Sequence, residues 1–362
     1  MVKLKIDNTE YNAPEGLTIL DVATNAGLYI PVLCHKNGMP HYSSCMVCMV
    51  KDNRKNGFVP SCSALVQEGM NIDISGEEVI LLRRKAIELL LSEHRAECEA
   101  PCRTVCPASY NIPLINRLLS AGDFEGAFRL TVSEIKSSEI ACTDCPGYCE
   151  NACRRKKIDN PVSIRNMKLF VAQQIKLNNS QRDTIDTDKD DIPPVTDNKL
   201  KKSNKPFSSH IGKIEPSELQ EWLKECNDQV IRYREIFDLK SASDESQSCM
   251  HCDCRAADDC RLRDLAEYFS IKDPRGKLVN SPIQKKINQN TGLVFENAKC
   301  IKCGLCVRLC ENSPDEPSLC FIHRGFVSII SEPLTEDFND VLKTKSKEVI
   351  AICPTGALSQ FK

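Results

Sequence analysis

Twenty-two cysteines stand in this chain of 362 residues, and they come in runs. Cys34, Cys45, Cys48 and Cys62 make the first. Cys98, Cys102 and Cys106 follow His94, and Cys142, Cys145, Cys149 and Cys153 come next. Then come Cys249, Cys252, Cys254 and Cys260, and finally Cys300, Cys303, Cys306 and Cys310, with Cys353 before Pro354 near the end. Thiols at such intervals are either disulfide partners or metal ligands. A disulfide scaffold is short and secreted. This chain is long and opens with MVKLKIDNTEYNAPEG, which has neither the apolar core nor the small-residue cleavage site of a secretory leader. The expected location is the cytoplasm, where thiols stay reduced and bind metal.

Spacing then bears on which metal. Tight zinc sites generally come as two close cysteine pairs, and the gaps of ten, two and thirteen residues in the first run do not fit that. Cys300, Cys303, Cys306 and Cys310 have the bacterial ferredoxin spacing, in which the fourth cysteine of a run serves the other cluster of a pair. Only the end of a second run remains, at Cys353-Pro354. Cys300, Cys303, Cys306 and Cys353 are therefore expected to complete one [4Fe–4S] site, with Cys310 the competing fourth ligand. Cys249, Cys252, Cys254 and Cys260 suit a further [4Fe–4S] cluster or a zinc ion, with His251 supporting the site. Cys226, Cys310 and Cys320 are left as small buried hydrophobes.

Local patterns supply the elements that must position these thiols. KLKID and TEYNA alternate like two strands of a hairpin. Thr18 caps the helix TILDVATNAG, with Asp21 at its third position and Gly27 at its end. Strand, strand, helix and cysteine loop is the order of a β-grasp ferredoxin, although the plant-type spacing has four residues in its first gap. EEVILLRRKAIELLLSEH reads as a helix that delivers His94. Asn111-Ile112-Pro113 opens another, with proline tolerated in the first turn, and GDFEGA joins it to the next. Leu219, Leu223, Cys226, Val230 and Tyr233 recur at helical spacing, with Trp222 assigned to a core. SASDESQS reads as a polar spacer.

The first run, with its ten-residue gap, resembles the [2Fe–2S] domain that opens the large iron–sulfur subunit of respiratory NADH dehydrogenase and of iron-only hydrogenases. The step from His94 to Cys98 is similar to the histidine-first [4Fe–4S] motif of those families, but the later cysteines come at different intervals. CPASYNIPLINRLLSAGDFEGAFRL and ACTDCPGYCENACRRKKIDNPVSI instead resemble the helical two-cluster domain of the glutamate synthase small subunit and dihydropyrimidine dehydrogenase. In that domain the ligands of the two runs interleave. The resemblance implies one cluster on Cys98, Cys102 and Cys153, with His94 the nearest substitute for a missing first cysteine. It implies a second cluster on Cys106, Cys145 and Cys149, completed in the family by a Gln or Glu from the following helix. That position falls on Lys168, whose ammonium cannot ligate iron, so Cys142 is expected to replace it. Exchanging a thiolate for His94 makes its cluster less negative and raises its potential, as in Rieske centres.

The expected fold class is therefore α+β and multidomain: an N-terminal β-grasp [2Fe–2S] ferredoxin, an α-helical two-cluster domain and a C-terminal bacterial-ferredoxin-like domain. Residues 1–78 form the first and 79–178 the second. A polar linker covers 179–215, a helix and cysteine-rich segment 216–292, and the ferredoxin-like unit 293–362. The cofactors expected are one [2Fe–2S] cluster and about four [4Fe–4S] clusters.

Composition narrows the function classes. Forty-eight Lys and Arg against 50 Asp and Glu leave a formal charge of −2, which argues against a nucleic-acid role driven by bulk charge. The basic runs Arg154–Lys157 and Lys199–Lys205 read as solvated faces, able to offset negative clusters or steer an acidic partner. No apolar stretch is long enough for a membrane span. Fifteen glycines are present and no two stand as G-x-G, so neither a dinucleotide fingerprint nor a phosphate loop is written in this chain. Flavin and NAD are accordingly expected on another subunit. Six scattered histidines support no nucleophilic triad. The reading is an electron-transfer subunit, not itself catalytic, of an oxidoreductase complex. It would work between a flavoprotein that binds NAD(P)H and a catalytic subunit. The alternatives are an oxidoreductase acting on its own substrate at a cluster, or a zinc-stapled scaffold.

Overall fold

The computed structural model describes residues 1–94, 98–106, 110–134, 142, 145–182, 235–236, 238–256, 260–271, 285–311 and 316–361. They fall into two units, one from the described residues of 1–94 and 260–361, the other from those of 98–182 and 235–256. Most of the expected linker, the helix carrying Trp222 and Cys226, and Lys199–Lys205 lie outside the described residues.

The first unit begins with β1 (Val2–Ile6), where Val2, Leu4 and Ile6 are buried and Lys3 and Lys5 exposed. That period of two seats one face of the strand on a core. Asp7 and Asn8 both take positive φ, the pair of left-handed residues that a two-residue hairpin needs before β2 (Thr9–Ala13). With β3 (Met49–Asp52), β4 (Gly57–Pro60) and β5 (Met70–Asp73), the sheet order is β2-β1-β5-β3-β4. β1 and β5 run parallel, and the other neighbours antiparallel.

The helix Ile19–Asn25 has the expected capping box. Thr18 Oγ1 accepts from Asp21 N at 3.1 Å, and Thr18 N donates to Asp21 Oδ2 at 2.9 Å. Its Ile19, Leu20, Val22 and Ala23 pack into the same core as Leu4, Ile6, Val50 and Ile72. The helix Glu77–Glu93 is pinned to the sheet by buried Arg83, which donates to Met49 O at 3.0 Å and Ile74 O at 2.9 Å. Those two carbonyls offset part of the cost of burying that guanidinium.

The same unit holds β6 (Lys285–Ile287), β7 (Leu293–Glu296) and β10 (Leu358–Gln360), in the order β10-β7-β6. A two-stranded ribbon pairs β8 (Cys320–Ile322) with β9 (Ile329–Ser331). Helices Leu305–Cys310 and Ser346–Ile352 complete it. β6 precedes residue 293, where the ferredoxin-like unit was expected to begin. Three residues starting Lys-Lys carry no strand pattern; pairing with apolar β7 makes them one.

The second unit is helical. Asn111 Oδ1 accepts from Leu114 N to cap Ile112–Ser120, with Pro113 in the first turn. Gly122 at φ +75° ends that helix, and Asp123 accepts from Gly126 N at the start of Phe124–Glu134. Ile112, Ile115, Leu119, Ala127 and Leu130 share a core with Ile164, Met167 and Val171 of the helix Ile164–Arg182. The expected spacer SASDESQS is instead most of a helix, Leu239–Gln247. Asp238 and Ser241 form a capping box, and Ala242, Glu245 and Ser246 are buried. Ala242 and Ser246 are short, and buried Glu245 accepts from Ser163 N at 2.7 Å, so a polar helix can pack in this unit.

Candidate iron–sulfur centres

In the first unit Cys34, Cys45, Cys48 and Cys62 are all buried, on the loop after the first helix and at the start of and just beyond the β3–β4 hairpin. They stand as two hydrogen-bonded pairs, Cys34 with Cys45 and Cys48 with Cys62. The hydrogen bond from Cys45 draws Cys34 down to about 5, with further help from Ser44, and the bond from Cys48 draws Cys62 down to about 7. Ser43 Oγ lies 3.5 Å from Cys62 Sγ. Ser43 and Met46 take positive φ, which turns the loop tightly around the thiols. Donors aimed at sulfur are what a thiolate ligand requires.

Cys300, Cys303, Cys306 and Cys353 line one small cavity, partly open to solvent, whose remaining walls include Phe295, Ile330, Leu305 and Leu358. Burial pushes Cys300 and Cys303 up to about 12 as free thiols, with the neighbouring Cys353 adding to the effect at both. Lys302 N lies 3.4 Å from Cys300 Sγ and Thr355 Oγ1 lies 3.8 Å from Cys353 Sγ. Cys310 is buried in the adjoining core, where its charged neighbours are Lys345, Glu316 and Glu348. Cys320 sits on the β8–β9 ribbon. Among the described residues no three His, Cys, Asp or Glu side chains converge on a single ion.

Cysteine spacing does not point to the residue that joins these two thiol sites. Arg308 is 2% exposed. Its Nη2 donates to Cys34 O at 2.7 Å and to Cys303 O at 3.1 Å, its Nη1 donates to Pro40 O, and Nε lies 3.3 Å from Gly304 O. The guanidinium also stacks over Tyr42 at 4.5 Å. These hydrogen bonds all run to backbone carbonyls, so the charge is directed at the dipoles of two cysteine loops. An arginine one turn into a helix ordinarily reads as surface, and only tertiary packing marks this one.

His94 is also in the first unit, at the end of Glu77–Glu93 and 8% exposed. Its Nδ1 lies 2.9 Å from Lys299 O. A carbonyl only accepts, so Nδ1 carries the proton and Nε2 keeps its lone pair. Burial holds the ring neutral, down to about 4. Cys260 immediately precedes the helix Arg261–Tyr268 in this unit. Cys249, Cys252 and Cys254 are in the second unit.

In the second unit Cys106, Cys142, Cys145 and Cys149 are near neighbours. Burial raises Cys142, and Cys106 and Cys145 add to it; burial raises Cys149 to about 12, with Cys106 and Cys142 adding. Lys168, the position of the family's Gln or Glu, reaches the same place: its Nζ lies 3.7 Å from Cys106 Sγ and 4.1 Å from the centre of the Tyr110 ring. It offers a charged hydrogen bond to sulfur, not a ligand atom. Cys102 has a different set of neighbours, namely Cys249, Cys252 and Cys153, with Cys149 beyond them. Cys254 N donates to Cys98 O at 3.1 Å.

Family models match three stretches of the chain. They are a 2Fe-2S iron-sulfur cluster binding domain over residues 1–76 and dihydropyrimidine dehydrogenase domain II, 4Fe-4S cluster, over 90–180. The third is the ferredoxin-like domain of NADH-quinone oxidoreductase subunit 3, over 293–359. The chain is therefore α+β and multidomain, with an N-terminal [2Fe–2S] domain, a central helical [4Fe–4S] domain and a C-terminal ferredoxin-like domain. The gamma chain of the NAD-reducing hydrogenase HoxS of Cupriavidus necator is 32% identical over 97 residues, 27% of this chain and 41% of that protein. The HndD component of the NADP-reducing hydrogenase of Solidesulfovibrio fructosivorans is 35% identical over 103 residues, 27% of this chain and 18% of that protein. The matches span less than half the length of these relatives. A crystal structure of NAD+-reducing [NiFe]-hydrogenase in the H2-reduced state shares the fold at a TM-score of 0.51. Identity there is 16%, over 99% of this chain and 87% of that one. Among the described residues no helix is long and apolar enough to cross a membrane.

Proposed function

We propose that this chain is an electron-transfer subunit of a multi-subunit, NAD(P)H-linked oxidoreductase, relaying single electrons and transforming no metabolite itself. An iron–sulfur cluster, when bound, takes up and releases one electron at a time. The pairing of Cys34 with Cys45 and of Cys48 with Cys62 suits two thiolates per iron, so these four would hold the [2Fe–2S] cluster. Cys300, Cys303, Cys306 and Cys353 would hold a [4Fe–4S] cluster in their shared cavity. Cys106, Cys142, Cys145 and Cys149 would hold a second, with Lys168 donating to Cys106. His94 offers Nε2 as a ligand, since a carbonyl bond from Nδ1 is the usual support of a metal-bound imidazole.

The observation that carries the reading is Arg308, whose guanidinium bonds to the carbonyls of both Cys34 and Cys303. Two ligand loops tied to one rigid cation are held at a fixed separation, which is what a relay between them needs. The fixed positive charge also favours the more negative, reduced state at both ends. The partner we expect is a flavoprotein that oxidises NAD(P)H, with a catalytic subunit at the far end of the relay.

Anaerobically purified full-length chain should be brown, with about 18 irons, and should bleach with dithionite but not with NADH. Adding a flavin-bearing NADH oxidoreductase should restore bleaching by NADH. A colourless, zinc-rich preparation, or reduction by NADH without added flavoprotein, would remove the proposal.

A further inference from the structure

Residues 249–252 occupy a place that the cysteine spacing does not reveal. Cys249 packs against the helical core alongside Cys102 and Cys153. Three anchors hold its loop there. Arg117 donates to both oxygens of Asp253, at 2.7 and 2.8 Å, a bidentate pair with both side chains mostly buried. Arg155 Nη1 donates to Ser248 O at 2.6 Å, so the residue two after Cys153 fixes the residue before Cys249. Cys254 N donates to Cys98 O, which ties the far end of the loop four residues ahead of Cys102.

Hydrogen-bond donors and a cation stand close to these buried sulfurs. Asn116 is 2% exposed, and its amide nitrogen makes no full hydrogen bond to any protein group. It lies at Cys249, a thiol that burial pushes up and Asn116 partly offsets. An orphaned buried N–H is costly unless it serves an acceptor. His251 N lies 3.5 Å from Cys249 Sγ, and the charge of Arg154 lowers Cys252 against the burial that pushes it up. Cys153 is a charged neighbour of both Cys249 and Cys252, and all three are neighbours of Cys102.

We infer that Cys102, Cys153, Cys249 and Cys252 form a single iron–sulfur ligand set, built from segments about 150 residues apart in the chain. This rests on the cluster-relay reading and revises both groupings that spacing suggests. The run at 249–260 is then not a centre of its own, and the expected content falls from about 18 irons to about 14. It lends two thiolates to a site whose other two come from the first helical run and from Cys153. Asn116 and His251 N are its hydrogen-bond donors, and Arg154 is its nearby cation. Cys254, whose backbone N donates to Cys98 O, is not counted in the set.

Anaerobic iron and sulfide counts on the full chain separate the possibilities. The double variant Cys249→Ala/Cys252→Ala and the double variant Cys102→Ala/Cys153→Ala should each lose about four irons, and the quadruple variant should also lose only about four. A loss of about eight in the quadruple variant would mean two separate centres and overturn the inference. Retention of the [2Fe–2S] signal in electron paramagnetic resonance checks that each variant is folded. If the doubles do not fold, Cys249→Ser and Cys153→Ser are read instead. Both substitutions should shift one and the same resonance, and effects on two different resonances would overturn the assignment. A chain that binds no iron at all would defeat the relay proposal, whereas a misgrouped set would leave that proposal standing.

Discussion

Nη2 of Arg308 lies 2.7 Å from the carbonyl oxygen of Cys34, a residue 274 positions earlier in the chain. The same nitrogen serves Cys303. The first and last thiol loops of the chain therefore share one buried cation, and any change in its charge acts on both.

Arg308→Gln removes that charge and should lower the reduction potential of the [2Fe–2S] and C-terminal clusters together. A buried unit charge at effective dielectric about 20 is worth roughly 1–2 kcal/mol, or tens of millivolts for one electron. Arg308→Lys, which keeps the charge but not the fork, should shift them less. Spectroscopic redox titration reads both centres in one experiment. Unchanged potentials in a Gln variant with full iron content would rule out the electrostatic role.

Lys168→Met should leave iron content intact while lowering the potential of the Cys106 centre alone, because the ammonium is a donor to sulfur and not a ligand. Loss of four irons from that variant would instead make the lysine part of the scaffold.

Cys353→Ala should cost the C-terminal cluster its fourth thiolate, with about four irons lost or a three-iron species in its place. Cys310→Ala should keep every iron and cost about 1 kcal/mol for the small void in the core. The opposite pattern, read by iron count and electron paramagnetic resonance, would transfer the ligand role to Cys310.

Without a metal on Nε2, His94 gives the fold an acid limit. Burial lowers it to about 4, whereas an unfolded chain protonates this ring near 6.5. Between those values the unfolded state binds more protons, so stability rises with pH. The contribution is complete above pH 6.5 and lost as pH falls towards 4, worth about 3 kcal/mol in all. Urea melts of the wild-type chain and His94→Gln should converge at low pH. Parallel pH profiles would show that this ring does not control the loss.

The sequence made the local devices legible: the Thr18–Asp21 capping box, the Asn111 cap before Pro113, and the alternation of β1 all lie within a few residues of themselves. It also picked out the thiols that share the C-terminal cavity, because a ferredoxin run and its trailing Cys-Pro are written in spacing. What it hid are relations across long stretches of chain. Ser241–Ser248 carries no apolar stripe, yet is mostly helical once packed on Ile112–Ser120. Lys168 fails as a ligand by its chemistry, but its reach to Cys106 depends on where the helix Ile164–Arg182 lies. Cys249 and Cys252 lie on a loop anchored through Asp253 and Ser248, and no spacing rule encodes the neighbours this gives them, Cys102 and Cys153. Arg308 looks like a surface arginine until the carbonyl of Cys34 is beside it.

The first unit draws on two distant stretches of the polypeptide, residues 1–94 and 260–361. During synthesis the N-terminal sheet emerges from the ribosome long before Arg308 does, so Cys34 must wait for the cation that secures its loop. A prematurely terminated product would carry the first four thiols on a loop without its brace. Metal loading of that loop would then report on completion of translation, and nascent chains stalled before and after Arg308 should differ in how firmly they retain iron.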